Sequence, residues 1–451
     1  MGEKRNNMIY TKNSIHLDQN SLIMYVDMNS YFASCEQQLQ PALRGKAIGV
    51  CTHDSPYACV IAPSSEAKKF GVKTGMRLND CKKLCPEIIP VVARPTEYRK
   101  FHIVIMDILR KYCEDTLPKS IDEAALNLTN YQMIYKDVLA LGKKIKKDIA
   151  RATEKHSGQK GSVITCSIGI APNTFLAKLA TEIQKPDGLV QITPENIDGY
   201  LANMKLTDLP GIASSNEKRL LARGINTPLQ LRHTPESALR RAFGGIVGYY
   251  WHARLNFKEV DFYTNDYRAM SAARTISSQQ RNSPEMLDAV LISLCNKLEQ
   301  RLVKQHIFCK QGNFYVRYLD GGGWSVQLRF SEPQQDAMEL RKYILHHIQK
   351  AEKDNTTILN KNIKYMGVVV MDFLGSQHIQ YSLFDDRSKK DKLRKVIYDL
   401  KDTYGKYSIR KGTELTVKSN IKDAIGFGSV KDLYTDNNHS LNQFLLEEMD
   451  E

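Results

Sequence analysis

The first strong pattern is an apolar run over residues 21–27 that ends in a carboxylate, which predicts a buried strand. Asn29 then opens a helical stretch that Pro41 stops. A short strand at 47–51, an apolar segment at 58–62 and a helix halted by Gly71 follow. A long helical pattern covers 96–112, a strand-like patch 120–128, a helix with a basic face 132–155 and a strand 163–170. Pro172 and Asn173 turn that strand into a helix over 175–184, and 185–188 reads as a turn. Strands and helices alternating this far predict an α/β domain.

From 195 to about 251 the pattern is helical, with breaks at 209–211 and 223–224, and 256–267 reads as a linker. A fresh α+β pattern follows: helix 284–305, strand 313–318, glycines 321–323, strand 324–330, helix 335–352 and strand 364–373. After Gly375 the pattern weakens into a basic helix at 391–404 and a polar tail.

Composition adds bounds. A length of 451 residues predicts two to four domains, and 42% apolar residues can fill their cores. No apolar run approaches the ~18 residues of a membrane span, and the first twenty residues lack a secretory core. A cytoplasmic chain with no membrane partner is expected. The net charge of +14 points to a polyanion, nucleic acid before membrane. The nine cysteines are scattered through apolar stretches, as reduced thiols are. Cys81 and Cys85 are four apart, but no second Cys/His pair lies at zinc-site spacing, so they read as packed helix residues.

The chemistry rests on acids. Asp27 ends one predicted strand and Asp122 and Glu123 lie in another. Side by side, those strands would converge three carboxylates at one sheet edge. Crowded carboxylates repel in low dielectric unless cations neutralise them, and hard oxygen ligands favour Mg²⁺ or Mn²⁺. Two such ions form the clamp used in phosphoryl transfer. Taken singly, each acid is equally an ordinary strand-end carboxylate.

The residues then resemble a family. Val26-Asp27-Met28-Asn29-Ser30-Tyr31-Phe32-Ala33-Ser34-Cys35-Glu36 is similar to the opening motif of Y-family translesion DNA polymerases. Ser120-Ile121-Asp122-Glu123-Ala124 resembles their second motif. Cys166 to Asn173, Phe175 to Ala180 and Lys185-Pro186-Asp187-Gly188 resemble a third. The likeness runs from about residue 21 to about 375. Asn29 and the Ala33-Ser34-Cys35-Glu36 string resemble the UmuC branch, since the DinB branch usually has Asp at the Asn29 position.

The resemblance implies an α+β multidomain right-hand polymerase: α/β palm, small fingers, helical thumb with a helix-hairpin-helix, and α+β little finger. Its boundaries would be an N-terminal extension 1–20, the first palm strand 21–30, fingers 31–95, palm 96–192, thumb 193–258, linker 259–267, little finger 268–374 and a tail 375–451. Asp27, Asp122 and Glu123, with the Met28 carbonyl, would hold two Mg²⁺ ions, for which Mn²⁺ can substitute. Phe32 matches the steric gate, an aromatic ring that leaves no room for a ribose 2′-hydroxyl. Many members place a Tyr and an Arg, three apart, on the incoming dNTP. Here Ser65 and Lys68 stand there, and Lys keeps the charge without the bidentate fork of Arg. Lys185 matches a further cation for the triphosphate.

Leu209-Pro210-Gly211-Ile212 resembles a helix-hairpin-helix turn, in which Gly211 allows close approach to a DNA phosphate. Residues 268–372 carry 15 Lys and Arg against 10 Asp and Glu, and Arg274, Arg317 and Arg329 are the candidate contacts to primer–template DNA. Gln380-Tyr381-Ser382-Leu383-Phe384 resembles the peptide that binds the bacterial β sliding clamp, with Gln380, Ser382, Leu383 and Phe384 at its defining positions. The UmuC branch implies a UmuD-type accessory subunit as a further partner. The expected function is error-prone translesion synthesis during damage bypass. A catalytically inactive DNA- or clamp-binding scaffold and a two-metal nuclease are the competing readings.

Overall fold

The computed structural model describes residues 21–263, 268–352, 357–381, 386–404, 408–409, 434–435 and 438–441. They divide into two compact units, the first ending at Tyr263 and the second beginning at Arg268.

In the first unit, β1 (Ile23–Met28) is buried along its whole length. A left-handed Ser30 turns it into α1 (Tyr31–Leu39). A small sheet comes next: β2 (Ile48–Cys51), β3 (Val60–Pro63) and, after α2 (Ser65–Lys69) and α3 (Leu78–Leu84), β4 (Ile89–Val92), in the order β3-β2-β4. Cys81 and Cys85 are buried free thiols in the core of this sheet and its helices, as packed helix residues should be.

The chain continues through α4 (Pro95–Arg110), β5 (Thr116–Pro118), β6 (Glu123–Asn127), α5 (Val138–Ser157), β7 (Cys166–Ala171), α6 (Thr174–Ile183) and β8 (Leu189–Gln191). The strands form one sheet in the order β5-β6-β1-β7-β8. β1 lies antiparallel between β6 and β7, which explains its unbroken apolar run: both faces are covered. Ile23 and Tyr25 point to the α6 side, where Phe175, Leu176 and Leu179 pack on them. Each such buried side chain contributes about 1.5–3 kcal/mol. Helix α6 crosses so close to β7 that a Cβ on Gly169 would lie 2.0 Å from the Ala177 carbonyl oxygen.

Helices α7 (Ile197–Ala202), α8 (Ser214–Leu221), α9 (Pro228–His233), α10 (Glu236–Phe243) and α11 (Ile246–Leu255) complete this unit around Trp251. Residues 256–263 are more than the expected linker. Glu259 is buried and accepts hydrogen bonds from the backbone N–H and hydroxyl of Thr174 at the start of α6. Phe262 is buried in the same core. Burial of Glu259 is tolerable because its other oxygen takes the backbone N–H groups of Asp261 and Phe262.

The second unit is a four-stranded antiparallel sheet in the order β11-β10-β12-β9. Its elements are β9 (Ala269–Thr275), α12 (Ser278–Arg281), α13 (Pro284–Lys304), β10 (Ile307–Tyr318), β11 (Gly323–Gln334), α14 (Ala337–Ala351) and β12 (Ile363–Gly375). Leu291, Leu298, Leu340 and Ile344 from the helices fill one face with Phe314, Leu328 and Val368. β9 escapes the sequence pattern because its exposed positions are Ala, Ser and Thr, which carry little polar contrast.

The basic helix expected at 391–404 is α15 (Arg387–Tyr404), which packs on this unit. Arg394 lies against Glu299 and Asp336, and the Tyr398 hydroxyl donates to Glu299 at 2.9 Å. Among the described residues no helix is long and apolar enough to cross a membrane.

Candidate active site

Strand register creates the site. Asp27 lies across from Glu123 on one side and Ser167 on the other. Cross-strand partners share a face, so Asp27 and Glu123 emerge on the side that α6 covers. Asp122 differs from expectation: it lies in the turn before β6 and not within a strand. There its carbonyl accepts from the Met28 backbone N–H at 2.9 Å, and the Ser120 hydroxyl holds its carboxylate. The three expected carboxylates therefore meet at the end of β1.

Their electrostatics show the crowding. Burial pushes the Asp122 carboxyl up, Ser120 opposes this, and the charges of Glu123 and Asp27 push it further up. Burial would raise Glu123 too, but Lys178 outweighs it and the carboxyl falls below its usual range. Lys178 comes from α6 and donates to Glu123 Oε1 at 2.6 Å and to Asp27 Oδ2. Lys185 is 3.0 Å from Asp27 Oδ1. The Tyr25 hydroxyl donates to the other Glu123 oxygen at 3.0 Å.

Lys185 is held by an unexpected hub. The Asn29 side chain donates to Ser167 Oγ at 3.0 Å and accepts from the Thr165 hydroxyl and the Asp187 backbone N–H. It thus ties the end of β1 to β7 and to the turn carrying Lys185. Ser65 begins α2, 3.5 Å from the Ser30 hydroxyl. Partial desolvation and then the nearby Lys185 ammonium lower the Lys68 pKa, while Asp27, Glu182 and Asp122 oppose. Phe32 is buried on α1, with its ring stacked on Tyr98. Asp27, Asp122, Glu123, Phe32, Ser65, Lys68 and Lys185 therefore occupy one region of the first unit.

Gly211, at φ +96, turns the chain into α8. It lines a cleft of about 740 Å³ together with Lys178 and Glu182 of α6. The turn at Gly211 and the Lys178–Glu182 side of α6 thus open on shared space.

In the second unit, strand pairing sorts the arginines. Arg317 pairs with Gly323 and Tyr365, and Arg329 pairs with Gln311, all on the face away from the helices. Tyr315 and Tyr365 are in ring contact on the same face, and Gly367 gives the Tyr315 ring its space, since a Cβ there would come within 2.5 Å of it. Arg274 is on the opposite face, paired with the buried Met366. The grouping of Arg274 with the other two is corrected: strand alternation turns it toward the helices, and its Nη1 is buried without a hydrogen-bond partner among the described residues. Gln380 is exposed, whereas Ser382, Leu383 and Phe384 lie outside the described residues.

The donor set suits a hard divalent cation: three carboxylates with no soft ligand. Among the described residues, however, no three acidic, His or Cys side chains stand ready around one point. The Lys178 ammonium lies between Asp27 and Glu123. Sequence reasoning gave Lys178 no role. Its one signal is a lone charge among Leu176, Ala177, Leu179 and Ala180.

Known proteins share the sequence pattern and the fold. A model of the impB/mucB/samB family matches residues 26–182, and that of the family's C-terminal domain matches residues 268–383. A DNA polymerase IV of Dehalococcoides mccartyi (strain CBDB1) is 27% identical over 88% of this chain and 98% of its own length. DNA polymerase IV 1 of Bacillus subtilis (strain 168) is 26% identical over 93% of this chain and 99% of its own. In fold, a Y-family DNA polymerase chimera, Dbh-Dpo4(243-245)-Dbh, aligns with a TM-score of 0.64 at 23% identity, covering 78% of this chain and 99% of that one. With one family matched on both units and relatives aligned over most of their length, the chain belongs to the impB/mucB/samB family of Y-family DNA polymerases.

Proposed function

We propose that the chain is an error-prone translesion polymerase that adds dNTPs to a primer 3′-hydroxyl opposite damaged template. The observation that carries this reading is the convergence of Asp27, Asp122 and Glu123 at one sheet edge with Lys185 and Lys68 beside them. Asp27, Asp122, Glu123 and the Met28 carbonyl would hold two Mg²⁺ or Mn²⁺ ions, whose charge would neutralise the acidic edge and the triphosphate. Lys185 and Lys68 would grip the triphosphate, with Ser65 as a short donor. Phe32 would exclude the 2′-hydroxyl. The primer 3′-hydroxyl attacks the α-phosphate, the bond to the β-phosphate breaks, and pyrophosphate leaves. Positioning and fixed charge do most of this work.

On this reading residues 21–30 and 96–192 are palm, 31–95 fingers, 193–258 thumb and 268–374 little finger. Gly211 would meet the backbone of the primer–template duplex, and Arg317 and Arg329 would meet phosphates from the open sheet face. The UmuC branch rests on Asn29 and the string from Ala33 to Glu36, and a UmuD-type subunit would be its partner. The peptide from Gln380 to Phe384 would recruit the β sliding clamp. Leu383→Ala with Phe384→Ala should then remove clamp stimulation and spare distributive synthesis.

Primer extension with Mg²⁺ on an undamaged template and on one with a single abasic site tests the main reading. Extension through the lesion that Asp122→Ala abolishes is the expected result. Wild-type activity surviving in Asp122→Ala would sink the assignment. DNA binding without extension, even with clamp and a UmuD-type partner, would favour a scaffold.

A further inference from the structure

The proposed metal site contains a cation of its own. Lys178 reaches Asp27, Glu123 at 2.6 Å and Glu182 at 3.0 Å. Lys185 reaches Asp27 at 3.0 Å and Glu182 at 2.8 Å. Asp27, Lys178, Glu182 and Lys185 therefore close a ring of ion pairs, with Glu123 attached through Lys178. Both carboxylate oxygens of Asp27 are engaged, one by each lysine.

An ion bound by Asp27 and Glu123 needs the volume that the Lys178 ammonium fills. Mg²⁺ binds oxygen at about 2.0–2.1 Å and cannot share those lone pairs with an ammonium at the same point. Glu182 lies one turn further along α6, in i,i+4 relation to Lys178, and is the more exposed of its carboxylate partners. A lysine stem is long and flexible enough to keep that contact while leaving the other two.

We propose that Lys178 is a resident counter-ion that holds Asp27 and Glu123 together before metal binds, and that a divalent ion displaces it onto Glu182. The proposal rests on reading Asp27, Asp122 and Glu123 as metal ligands. Lys178 is thus a positioning residue that sets when the site accepts metal. Without an internal cation, the buried Asp27 and the half-buried Asp122 and Glu123 would repel one another. With one, metal binding becomes an exchange of cations, and its affinity is the difference between two attractions.

Mn²⁺ binding to the full chain, without DNA or dNTP, tests this by the electron paramagnetic resonance signal of free Mn²⁺. Lys178→Met should bind Mn²⁺ about tenfold more tightly than wild type, because no ammonium competes. Glu182→Gln should bind several-fold more weakly, roughly, since the displaced ammonium loses its alternative partner. Lys178→Arg should stay close to wild type. Mg²⁺ should raise the melting temperature of Lys178→Met more than that of wild type. A purely structural lysine predicts weaker or equal Mn²⁺ binding in Lys178→Met, and either result overturns the proposal. Should Lys178→Met not fold, unchanged or tighter binding in Glu182→Gln overturns it instead. Adding Asp122→Ala separates the two layers. Binding that survives it, or no binding by any chain, removes the metal-site reading and this proposal with it. Binding that it abolishes, with wild type and Lys178→Met equal, removes the proposal alone.

Discussion

The Phe32 ring lies nearly flat on the Tyr98 ring, with centroids 4.5 Å apart and 13° between the planes. Tyr98 is itself fixed, since its hydroxyl donates to Glu36 at 2.7 Å and accepts from the Arg94 backbone N–H. Glu36 in turn takes the Arg94 guanidinium. The proposed sugar gate therefore has a rigid floor made by a helix 66 positions further along the chain. Phe32→Ala should raise ribonucleotide incorporation by about tenfold or more. Tyr98→Phe should give a smaller rise and cost about 1–3 kcal/mol, because Glu36 loses a buried donor. Single-nucleotide kinetics with dCTP and CTP, beside denaturant melts, measure both. Unchanged sugar selectivity in Phe32→Ala would refute the gate.

Acid sensitivity should come partly from His102. Its ring is buried, its Nδ1 is 2.8 Å from the Ile121 carbonyl, and burial pulls its pKa down to about 4. The unfolded chain takes up this proton near pH 6.5 and the folded chain only near 4, so stability falls as pH drops through that window. The full loss is on the order of 3 kcal/mol. His102→Gln should flatten the curve between pH 6.5 and 4 in urea melts. A wild-type curve with no slope there would contradict the assignment.

Face placement separates the arginines of the second unit. Arg317→Ala and Arg329→Ala should each weaken primer–template binding and lower the salt slope of log Kd by about one. Arg274→Ala should leave that slope unchanged, since its side chain is on the helix face. Fluorescence anisotropy across a salt series reads all three. Equal loss of slope in Arg274→Ala would mean that the open face is not the DNA surface.

The docking of α15 should depend on Arg394. Its side chain is 9% exposed and Glu299 is fully buried, so removing the guanidinium leaves a buried carboxylate without its cation. Arg394→Ala should cost about 3–5 kcal/mol and open residues 387–404 to proteolysis. Limited digestion followed by mass spectrometry checks this. Unaltered cleavage with unaltered stability would show that the helix is held by other contacts.

The site was legible in the sequence to an unequal degree. Asp27, Asp122, Glu123, Phe32 and Lys185 lie in local motifs, each a short run of neighbouring residues. Arg274 was misgrouped because strand alternation decides its face and charge composition does not. Lys178 and Tyr98 stayed silent, since each acts on residues distant in the chain, and Asn29 stood out only as a motif residue, with no sign that its side chain ties β1 to the turn carrying Lys185. Glu259 looked like linker and is a buried anchor of α6, because a charge in a polar stretch carries no sign of what will cover it.

The sequence by itself determined the α/β beginning, the helical middle and the α+β end, because these follow from the local periodicity of apolar residues. It also determined which acids could meet. Only the tertiary structure decided that Asp122 stands in a turn, that α15 packs on the second unit, and that a lysine fills the space between Asp27 and Glu123. Those outcomes depend on long-range burial and on the pairing of charges in a confined volume, which the order of residues along the chain does not express.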